Sequence, residues 1–491
     1  MNDFAIAPRH NTSLNRDLFT VLALLVVLIP IYWTTLRPGQ NWGGDFSQYI
    51  AHARNLASGR PYAETTYVVT MPGMTEYMPN RYPPVFPLLL APVYRAYGLN
   101  FLPMKLLVQA LALAACICLY VLARLRGSRP LPSAATGACF ALSGVVLGIK
   151  DSVISDTTYL FFASLTLTLL VFIERRGWDR ARPVLAVALV LPPLLLAYGS
   201  RSVGLSLALT VFAYELIRYR RLRPFGILTL LGFAAGVVLL ALTLYDSRGY
   251  GNQFHINLAA YWRNAEFYLH APAYLWAGSP ALLRYALAAV TAVIVIGEWL
   301  RRLVIQCSIV EVYVPCAMLP LLAHSTDAES RLLLPVLMLY FIYLFEGIEF
   351  LAAQWPAISR VLSAAAVAAL AVGCLANLHG MERGPFAQGP EQPTFTDLRL
   401  YLANHLDSHD LLVSWNPRVL ALYTGLRSAW YPETADDAAL DAYFRRTGAS
   451  YLLLYSGSPD DLTFLAPHVA REPQLFAPVY RNPNFVLYRI Q

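Results

Sequence analysis

Two aspartates and two arginines lie at the ends of long apolar runs in this 491-residue chain. Asp45 follows a Trp-Gly-Gly segment, and Asp156 stands where an apolar run begins. Arg201 lies between two apolar runs, and Arg331 begins another. A carboxylate at such a boundary can accept a proton from a hydroxyl group, whereas a guanidinium can bind a phosphate or pyrophosphate through paired charge-assisted hydrogen bonds. The four residues together are consistent with a site for a phosphate-bearing lipid.

The acidic residues also have a structural interpretation. Asp45 begins an amphipathic helical pattern over residues 46–56, which we expect to lie in the membrane interface, and Asp45 with Gln48 matches a capping box. Asp151 and Asp156 are placed to cap the next apolar helix. However, a carboxylate within a bilayer segment is costly and is functional by default unless it caps a helix end in water. Capping and catalysis are compatible at Asp45, and the sequence leaves both open.

The two arginines have a similar pair of interpretations. Arginines outside the cytoplasm run against the charge bias of membrane proteins, so Arg201 and Arg331 need a partner there. A lipid phosphate or pyrophosphate is one such partner. An ion pair of Arg331 with Glu329 or Asp327 is the alternative.

No pattern in the sequence indicates a metal centre or a disulfide framework. Four histidines are expected outside the cytoplasm, and none has a compact ligand spacing such as His-x-x-x-His. They are His52, His255, His270 and His324. All six cysteines fall inside apolar runs, which argues against disulfides and against a metal knuckle.

Transmembrane helices must position these residues. The chain is 57% hydrophobic and 14% charged, whereas a soluble domain carries roughly 25% charged residues. Uncharged runs long enough to cross a hydrocarbon core of ~30 Å as helices recur along it. We therefore predict a polytopic α-helical membrane protein with about 11 transmembrane helices. The predicted spans are 18–36, 101–123, 131–149, 153–173, 183–200, 201–217, 225–244, 279–299, 306–323, 332–351 and 361–379.

The arginines predict the orientation of these spans. The net charge of +7 comes almost wholly from arginine, and because the arginines cluster in short loops we attribute it to topology and not to nucleic-acid binding. The stretch Tyr82–Gly98 would invert the assignment if it crossed, and its four prolines favour a juxtamembrane or dipping helix instead. The site residues and the C-terminus then lie outside the cytoplasm. The loops predicted inside are 124–129, 174–182, 218–223, 301–302 and 354–360.

The composition changes near residue 381. We predict a membrane domain at 1–380, which includes a first external loop at 37–100, and a small extracytoplasmic α/β domain at 381–491. In the second domain Asn482-Pro483-Asn484 is expected to turn a terminal hairpin. The predicted helices are 396–406, 436–447 and 459–470, and the predicted strands are 411–415, 451–455, 476–480 and 485–490.

Five short motifs, taken in order and with their predicted sidedness, resemble the GT-C membrane glycosyltransferases that use polyprenyl-phosphate sugars. The resemblance covers nearly the whole chain and is greatest to the aminoarabinose-transferase and protein mannosyltransferase branch. The closing α/β domain is also similar to tails of bacterial members. The motifs are Gly44-Asp45-Phe46-Ser47-Gln48-Tyr49, Tyr82-Pro83-Pro84-Val85-Phe86-Pro87-Leu88-Leu89-Leu90, Ser155-Asp156-Thr157-Thr158-Tyr159, Ser200-Arg201-Ser202-Val203-Gly204 and Ser330-Arg331-Leu332-Leu333-Leu334-Pro335.

The resemblance implies a role for each candidate residue. Asp45 would be the general base or the carboxylate that positions the acceptor, Asp156 a second acid, and Arg201 and Arg331 residues near the donor phosphate. The implied enzyme of a bacterial inner membrane moves a sugar from a polyprenyl-phosphate donor to a hydroxyl of a lipid, polysaccharide or protein acceptor on the extracytoplasmic face. A single displacement would invert the anomeric centre. Some members bind a divalent metal ion near these acids and others need none, so a metal cofactor stays open.

Two other functional classes compete with a transferase. A transporter, flippase or glycan polymerase would also be polytopic and would also handle polyprenyl-linked sugars, but it would not need a base in the first external loop. A non-catalytic membrane scaffold that recruits partners through its C-terminal domain is the third class, and the external acids and arginines argue against it. Turnover of a purified polyprenyl-phosphate sugar would separate the first class from the others.

Overall fold

The computed structural model describes residues 14–71, 78–244, 257–324, 329–357 and 359–491. Its membrane region is built from helices, because within an apolar run each backbone N–H and C=O must be satisfied inside its own segment. The helices of this region are α1 (Leu14–Thr34), α2 (Asp45–Ala57), α3 (Val85–Tyr97), α4 (Phe101–Arg126), α5 (Pro130–Ala141), α6 (Gly144–Ile149), α7 (Asp156–Arg176), α8 (Trp178–Ala181), α9 (Pro183–Ser200), α10 (Leu205–Tyr219), α11 (Pro224–Thr243), α12 (Leu258–His270), α13 (Ala281–Ile305), α14 (Ile309–Leu322), α15 (Leu334–Gln354) and α16 (Ser359–Gly380).

Among the described residues, eight helices are long and apolar enough to cross a membrane. This confirms a polytopic integral membrane protein. The eight are α1, α4, α7, α9, α11, α13, α15 with the 3₁₀ turn before it, and α16 from Ser363. The remaining three predicted spans correspond to the broken pair α5–α6 and to the shorter helices α10 and α14.

The span predicted at 131–149 is interrupted in the middle. Helix α5 ends at Ala141, and Ser143 begins α6 by accepting a hydrogen bond from the backbone N–H of Val146. The break brings Gly144 against the segment after α12, where a Cβ atom would lie 2.5 Å from the carbonyl oxygen of Tyr274. The prediction of one continuous helix was wrong here, because the hydrophobic pattern gives no sign of a helix cap such as Ser143 inside the apolar run.

The proline-rich stretch at 82–98 forms helix α3, which has 13 residues. At 1.5 Å per residue this helix is about 20 Å long, well short of the ~30 Å hydrocarbon core. It packs against α2, and its buried side chains include Phe86 and Leu90. Its length agrees with the expectation that this stretch does not cross.

Ion pairs join the helix ends at the end of the bundle that the sequence assigns to the cytoplasm. The buried Arg126, the last residue of α4, lies 2.8 Å from Glu311 of α14 and 2.8 Å from Glu346 of α15. Arg223, just before α11, lies 2.7 Å from Asp179 of α8. The arginine-rich loops therefore share one end of the bundle, while α7 and α15 start at the opposite end.

The C-terminal unit is a mixed sheet with helices. Its helices are α17 (Pro393–His405), α18 (Pro417–Thr424), α19 (Asp437–Thr447) and α20 (Ala466–Arg471), and its strands are β2 (Leu411–Val413), β3 (Arg427–Ala429), β4 (Tyr451–Tyr455), β5 (Phe476–Arg481) and β6 (Phe485–Ile490). Strands β2, β3 and β4 pair in parallel, and β4, β6 and β5 pair antiparallel. The predicted hairpin at 482–484 joins β5 to β6. Helix α18 and strand β3 were not predicted.

The first external loop contributes to this sheet. Strand β1 (Tyr67–Val68) pairs in parallel with β3, so the strand order is β1-β3-β2-β4-β6-β5. One apolar core also contains residues of α2, α3 and α4 together with residues of α17, α18 and the sheet. The first external loop and the C-terminal unit are therefore packed as one body on this side of the bundle.

Helix α2 is more enclosed than its amphipathic pattern indicates. Its buried residues include polar ones, among them Ser47, Gln48, His52 and Asn55. Helix α3 covers one side and α18 another, so the side expected to face the membrane interface is covered by protein. The expectation of an interfacial surface helix was wrong, because the sequence pattern does not show that the C-terminal unit returns to cover this helix.

Candidate active site

Asp45 is the first residue of α2, and its carboxylate is held by three side chains. Its Oδ1 accepts hydrogen bonds from Arg418 Nη1 at 3.2 Å and from the Tyr82 hydroxyl at 3.1 Å. Its Oδ2 lies 3.6 Å from Arg331 Nη1. The N-cap of α2 is Gly44, which has no side chain, and the Oε1 atom of Gln48 has no hydrogen-bond partner among the described residues. The capping box expected from Asp45 and Gln48 is thus not formed.

The surroundings of Asp45 keep its carboxylate ionised. Burial raises the pKa of Asp45. This effect is outweighed by four groups that lower the pKa, which are the guanidinium groups of Arg418 and Arg331, the Tyr82 hydroxyl and the more distant Arg201. The pKa of Asp45 therefore lies below the ordinary 3.8. The side chain is nevertheless 36% exposed. Asp45 is therefore a partly exposed hydrogen-bond acceptor that is charged at neutral pH, and it is a weak base.

Asp156 begins α7 and is almost completely buried, with 2% of its side chain exposed. Its Oδ1 lies 2.6 Å from Arg201 Nη1, and its Oδ2 has no hydrogen-bond partner among the described residues. The hydroxyls of Ser155 and Tyr49 are 2.8 Å apart and hydrogen-bonded, which ties α7 to α2 next to the site. A buried carboxylate oxygen without a partner is costly, so a polar ligand at Asp156 Oδ2 would be stabilised.

Arg201 and Arg331 line a cavity of about 560 Å³ together with Asp156. Much of the remaining lining comes from α10, α14 and α15. Apolar lining residues include Val203, Leu205, Leu209, Leu321, Leu332 and Leu334. Such a cavity suits an amphiphile with an anionic head and an apolar tail.

Arg331 also lines a second cavity of about 470 Å³, which is bounded by Glu329, Phe267 and Tyr274. Arg331 is hydrogen-bonded to Glu329, so the predicted Arg331–Glu329 pair exists. Asp327, the other acid considered for this pair, lies outside the described residues. Arg331 thus stands between the two cavities and beside Asp45, with 31% of its side chain exposed.

The structure brings all four predicted site residues into one region and places Asp151 elsewhere. Asp151 forms an ion pair with Lys150 at 2.7 Å and accepts a hydrogen bond from Gln109 at 3.1 Å. Both partners are buried, so Asp151 has an internal structural role. The sequence had left capping or a functional role open for it.

Two residues of the site were not predicted. Tyr82 was assigned only to the proline-rich stretch and to one of the five motifs, whereas its hydroxyl contacts both Asp45 and Arg418. Arg418 belongs to α18, an eight-residue helix of the C-terminal unit. The signal that could have located α18 is its ends, since Pro417 stands at the first helical position and Gly425 follows the last turn with φ of 70°.

No protein-family model matches the chain, and no curated protein sequence matches it. Solved structures, in contrast, match the chain. ArnT from Cupriavidus metallidurans, bound to undecaprenyl phosphate, is 13% identical, with a TM-score of 0.59 over 96% of this chain and 97% of that one. The oligosaccharyltransferase AglB from Archaeoglobus fulgidus, in complex with an inhibitory peptide and a dolichol-phosphate, is 11% identical, with a TM-score of 0.60 over 90% of this chain and 69% of that one. The chain has the GT-C fold.

The GT-C fold raises the question of a metal ion. The A. fulgidus oligosaccharyltransferase has also been solved in complex with Zn and sulfate, with 11% identity and a TM-score of 0.60 over 96% of this chain and 72% of that one. In this chain Asp45 is paired with Arg418 and Arg331, and Asp156 is paired with Arg201. The described residues contain no group of three His, Cys, Asp or Glu side chains arranged to hold a metal. Because the guanidinium groups would repel a cation, this donor set does not fit a resident divalent ion.

The histidine of helix α2 does not change that conclusion. His52 of α2 is buried, stacks on the Tyr62 ring at 4.3 Å and has its Nδ1 atom 2.8 Å from the Tyr62 carbonyl oxygen. Burial lowers the pKa of His52 to about 4, so it is neutral and holds the loop that follows α2. His255 lies outside the described residues.

Proposed function

We propose that this protein is a membrane glycosyltransferase that moves a sugar from a polyprenyl-phosphate donor to an acceptor hydroxyl on the extracytoplasmic face of a bacterial inner membrane. The observation that carries the proposal is that Asp156, Arg201 and Arg331 line one largely apolar cavity of about 560 Å³, with Asp45 Oδ2 only 3.6 Å from Arg331. The shared fold with ArnT and AglB, solved with undecaprenyl phosphate and a dolichol-phosphate, supports the donor class.

The donor phosphate would lie between the two arginines. Arg201 and Arg331 are 23% and 31% exposed, so an anion can reach both, and a phosphate can replace part of their contact with carboxylates. The first isoprene units would then lie along the apolar wall, and the rest of the chain would extend into lipid. Asp156 Oδ2 would accept a hydrogen bond from the sugar, because Asp156 lines the same cavity and this oxygen has no described partner.

The chemistry is a single displacement. The acceptor oxygen forms a bond to the anomeric carbon as the bond from that carbon to the phosphate oxygen breaks, and the phosphate leaves with the electron pair. When Arg331 turns to the phosphate, Asp45 Oδ2 is released to orient the acceptor hydroxyl. Since the pKa of Asp45 is low, it acts chiefly by orientation and negative charge near the developing oxocarbenium ion, and the proton ends on the released phosphate. Inversion at the anomeric carbon follows.

The test is transfer by purified protein in lipid nanodiscs, supplied with polyprenyl-phosphate carrying a labelled sugar and a candidate acceptor. We expect label to move from the lipid to the acceptor, with inverted stereochemistry. A transporter or flippase would instead move the intact labelled lipid across a sealed vesicle membrane without breaking the sugar–phosphate bond. A polymerase would lengthen a lipid-linked glycan. Intact label on the donor under all acceptor conditions, together with transbilayer movement, would contradict the proposal.

A further inference from the structure

Arg418 reaches the candidate site from the C-terminal unit. Its Nη1 atom lies 3.2 Å from Asp45 Oδ1, it is hydrogen-bonded to the Tyr82 hydroxyl, and 7% of its side chain is exposed. The guanidinium also lies over the ring of Trp430 at 5.3 Å. An arginine enclosed in this way has a defined position, unlike a surface arginine, whose ion pairs contribute little.

The backbone on both sides of the Asp45–Arg418 pair is fixed by an aromatic cluster, which we call the Trp42 cluster. It consists of Trp42, Phe395, Trp415, Tyr455 and Phe485. The indole N–H of Trp42 donates to the Tyr455 hydroxyl at 3.2 Å, and the Asn416 side-chain amide donates to the Trp42 carbonyl oxygen at 2.5 Å. Trp42 lies three positions before Asp45, and Asn416 lies two before Arg418. The cluster therefore sets the separation of the two charged groups.

Gly44 leaves the space that Arg418 occupies. A Cβ atom at position 44 would lie 2.2 Å from Arg418 Nη2 and 2.6 Å from its Cζ. The backbone of Gly44 has φ of −76° and ψ of −26°, a conformation that any residue adopts. Glycine is needed at this position to admit the guanidinium and not to relieve backbone strain.

We propose that Arg418 is a positioning residue for Asp45, so that the C-terminal unit completes the active site of the membrane domain. Because this role presupposes sugar transfer, it rests on the proposed function. Arg418 and Tyr82 fix Oδ1 of Asp45, which leaves Oδ2 directed toward Arg331, a residue that lines the cavity. When Arg331 engages the donor phosphate, Arg418 remains as the cation that holds the carboxylate in place.

The charged and titratable groups around Asp45 come from four segments. They are Arg418 of α18, Arg331 of the 3₁₀ turn before α15, Arg201 after α9 and Tyr82 before α3. The three cations hold Asp45 ionised against burial, which acts in the opposite direction. Removing Arg418 must therefore raise the pKa of Asp45 and move the acid limb of the activity profile to higher pH.

The experiment compares Arg418→Gln and Gly44→Ala with two matched controls in the full-length protein. Gly44→Ala displaces the Arg418 guanidinium without changing any charge, and it keeps the proposal testable if Arg418→Gln does not fold. The control Gly43→Ala adds a methyl group 3.4 Å from the nearest atom, Asn41 Oδ1, and Arg427→Gln removes an exposed arginine of the same unit. We expect both test variants to lose on the order of 10- to 100-fold in kcat. Both controls should stay near wild type.

The pH profile separates positioning from a merely structural role. In Arg418→Gln the acid limb should lie at higher pH than in wild type, and Arg418→Lys, which keeps the charge, should restore part of both the rate and the profile. A loss of activity that follows thermal stability alone, with an unshifted profile, would overturn the proposal. So would normal kcat in both Arg418→Gln and Gly44→Ala.

Asp45→Asn distinguishes the failure of this inference from the failure of the proposed function. If wild type transfers sugar and Asp45→Asn does not, while both test variants are normal, only the role of Arg418 is wrong. If wild type itself transfers no sugar to any acceptor, the proposed function fails first.

Discussion

Arg201 Nη1 lies 2.6 Å from Asp156 Oδ1 in the wall of the larger cavity, and the other oxygen of the same carboxylate has no hydrogen-bond partner among the described residues. The pair therefore places a half-buried guanidinium beside a buried carboxylate oxygen that has no described partner. A sugar phosphate needs these two kinds of contact, one for the phosphate and one for a sugar hydroxyl. Variants of the arginines therefore test the binding of the donor phosphate, and variants of the carboxylates test the chemistry at the sugar.

The first prediction concerns donor affinity. Arg201→Ala and Arg331→Ala should each weaken the binding of polyprenyl phosphate by on the order of 10- to 100-fold, since each removes a charge-assisted hydrogen bond. Arg331→Lys should also weaken binding, because lysine keeps the charge but not the paired geometry. Calorimetry on protein in nanodiscs measures the affinity. The control is Arg60→Ala, an exposed arginine of the first external loop. Unchanged affinity in both alanine variants would remove these arginines from the site.

The second prediction concerns Asp45. Asp45→Asn removes the charge but keeps the shape of the side chain, and turnover should fall by roughly 10²- to 10³-fold while expression and thermal stability stay near wild type. The control Glu64→Gln removes another acid of the same loop, one that is exposed. Purified Asp45→Asn protein that transfers sugar at a near-normal rate would defeat the role assigned to this carboxylate.

The third prediction concerns sidedness. The C-terminus should lie outside the cytoplasm, because α3 is too short to cross and the arginine-rich loops share one end of the bundle. A reporter that is active only in the cytoplasm should be silent when fused after Gln491 and active when fused after Gly127. Strong activity of the fusion after Gln491 would return Val85–Tyr97 to the set of spans.

The fourth prediction concerns the stability of the C-terminal unit as pH changes. Burial raises the pKa of Asp461 to about 7, even though its carboxylate accepts hydrogen bonds from the Tyr431 hydroxyl at 2.5 Å and the Tyr455 backbone N–H at 2.7 Å. The folded protein thus holds this proton more tightly than the unfolded chain. The contribution of this proton to the stability of the folded state is complete below about pH 4, the pKa of Asp461 in the unfolded chain. It is lost as pH rises to about 7, and the free energy of unfolding falls by at most ~1.4 kcal/mol per pH unit.

Thermal unfolding of the full-length protein at a series of pH values measures this effect. The melting temperature reported by the C-terminal unit should fall between about pH 4 and pH 7 in wild type. In Asp461→Asn the decline should be shallower, because the variant has no group to ionise. A matched variant at the exposed Asp407, Asp407→Asn, should keep the wild-type slope. Equal slopes in wild type and Asp461→Asn would contradict this assignment.

The sequence predicted the membrane region, and it identified four residues of the candidate site, for a clear physical reason. Long apolar runs, the charge bias of loops and an acid at the start of a helix are local signals, and they located α4, α7 and α15 as well as Asp45 and Asp156. The enclosed state of α2 and the contact of Arg418 with Asp45 are not local. Those two residues are 373 positions apart, and no pattern of either segment specifies that they meet.

Helix α18 was missed for a related reason. It has eight residues, too few for an apolar periodicity to be read with any certainty, and what stabilises it is burial against α2 and strand β3. The first external loop was treated as separate from the C-terminal unit because the two-residue strand β1 is too short to recognise. Both omissions lie where tertiary contacts, and not local propensity, determine the structure.

The distance of Asp45 from Arg418 along the chain also sets an order of events during biosynthesis. At roughly 5–20 residues per second, a ribosome needs about 20–75 s to pass from the first residue to the second. During that interval the carboxylate of the first loop lacks Arg418, and β1 lacks its neighbouring strand. Under the proposed function, an unfinished or truncated chain would therefore carry an incomplete catalytic centre, and sugar transfer would begin only once the last hundred residues had folded against the loop.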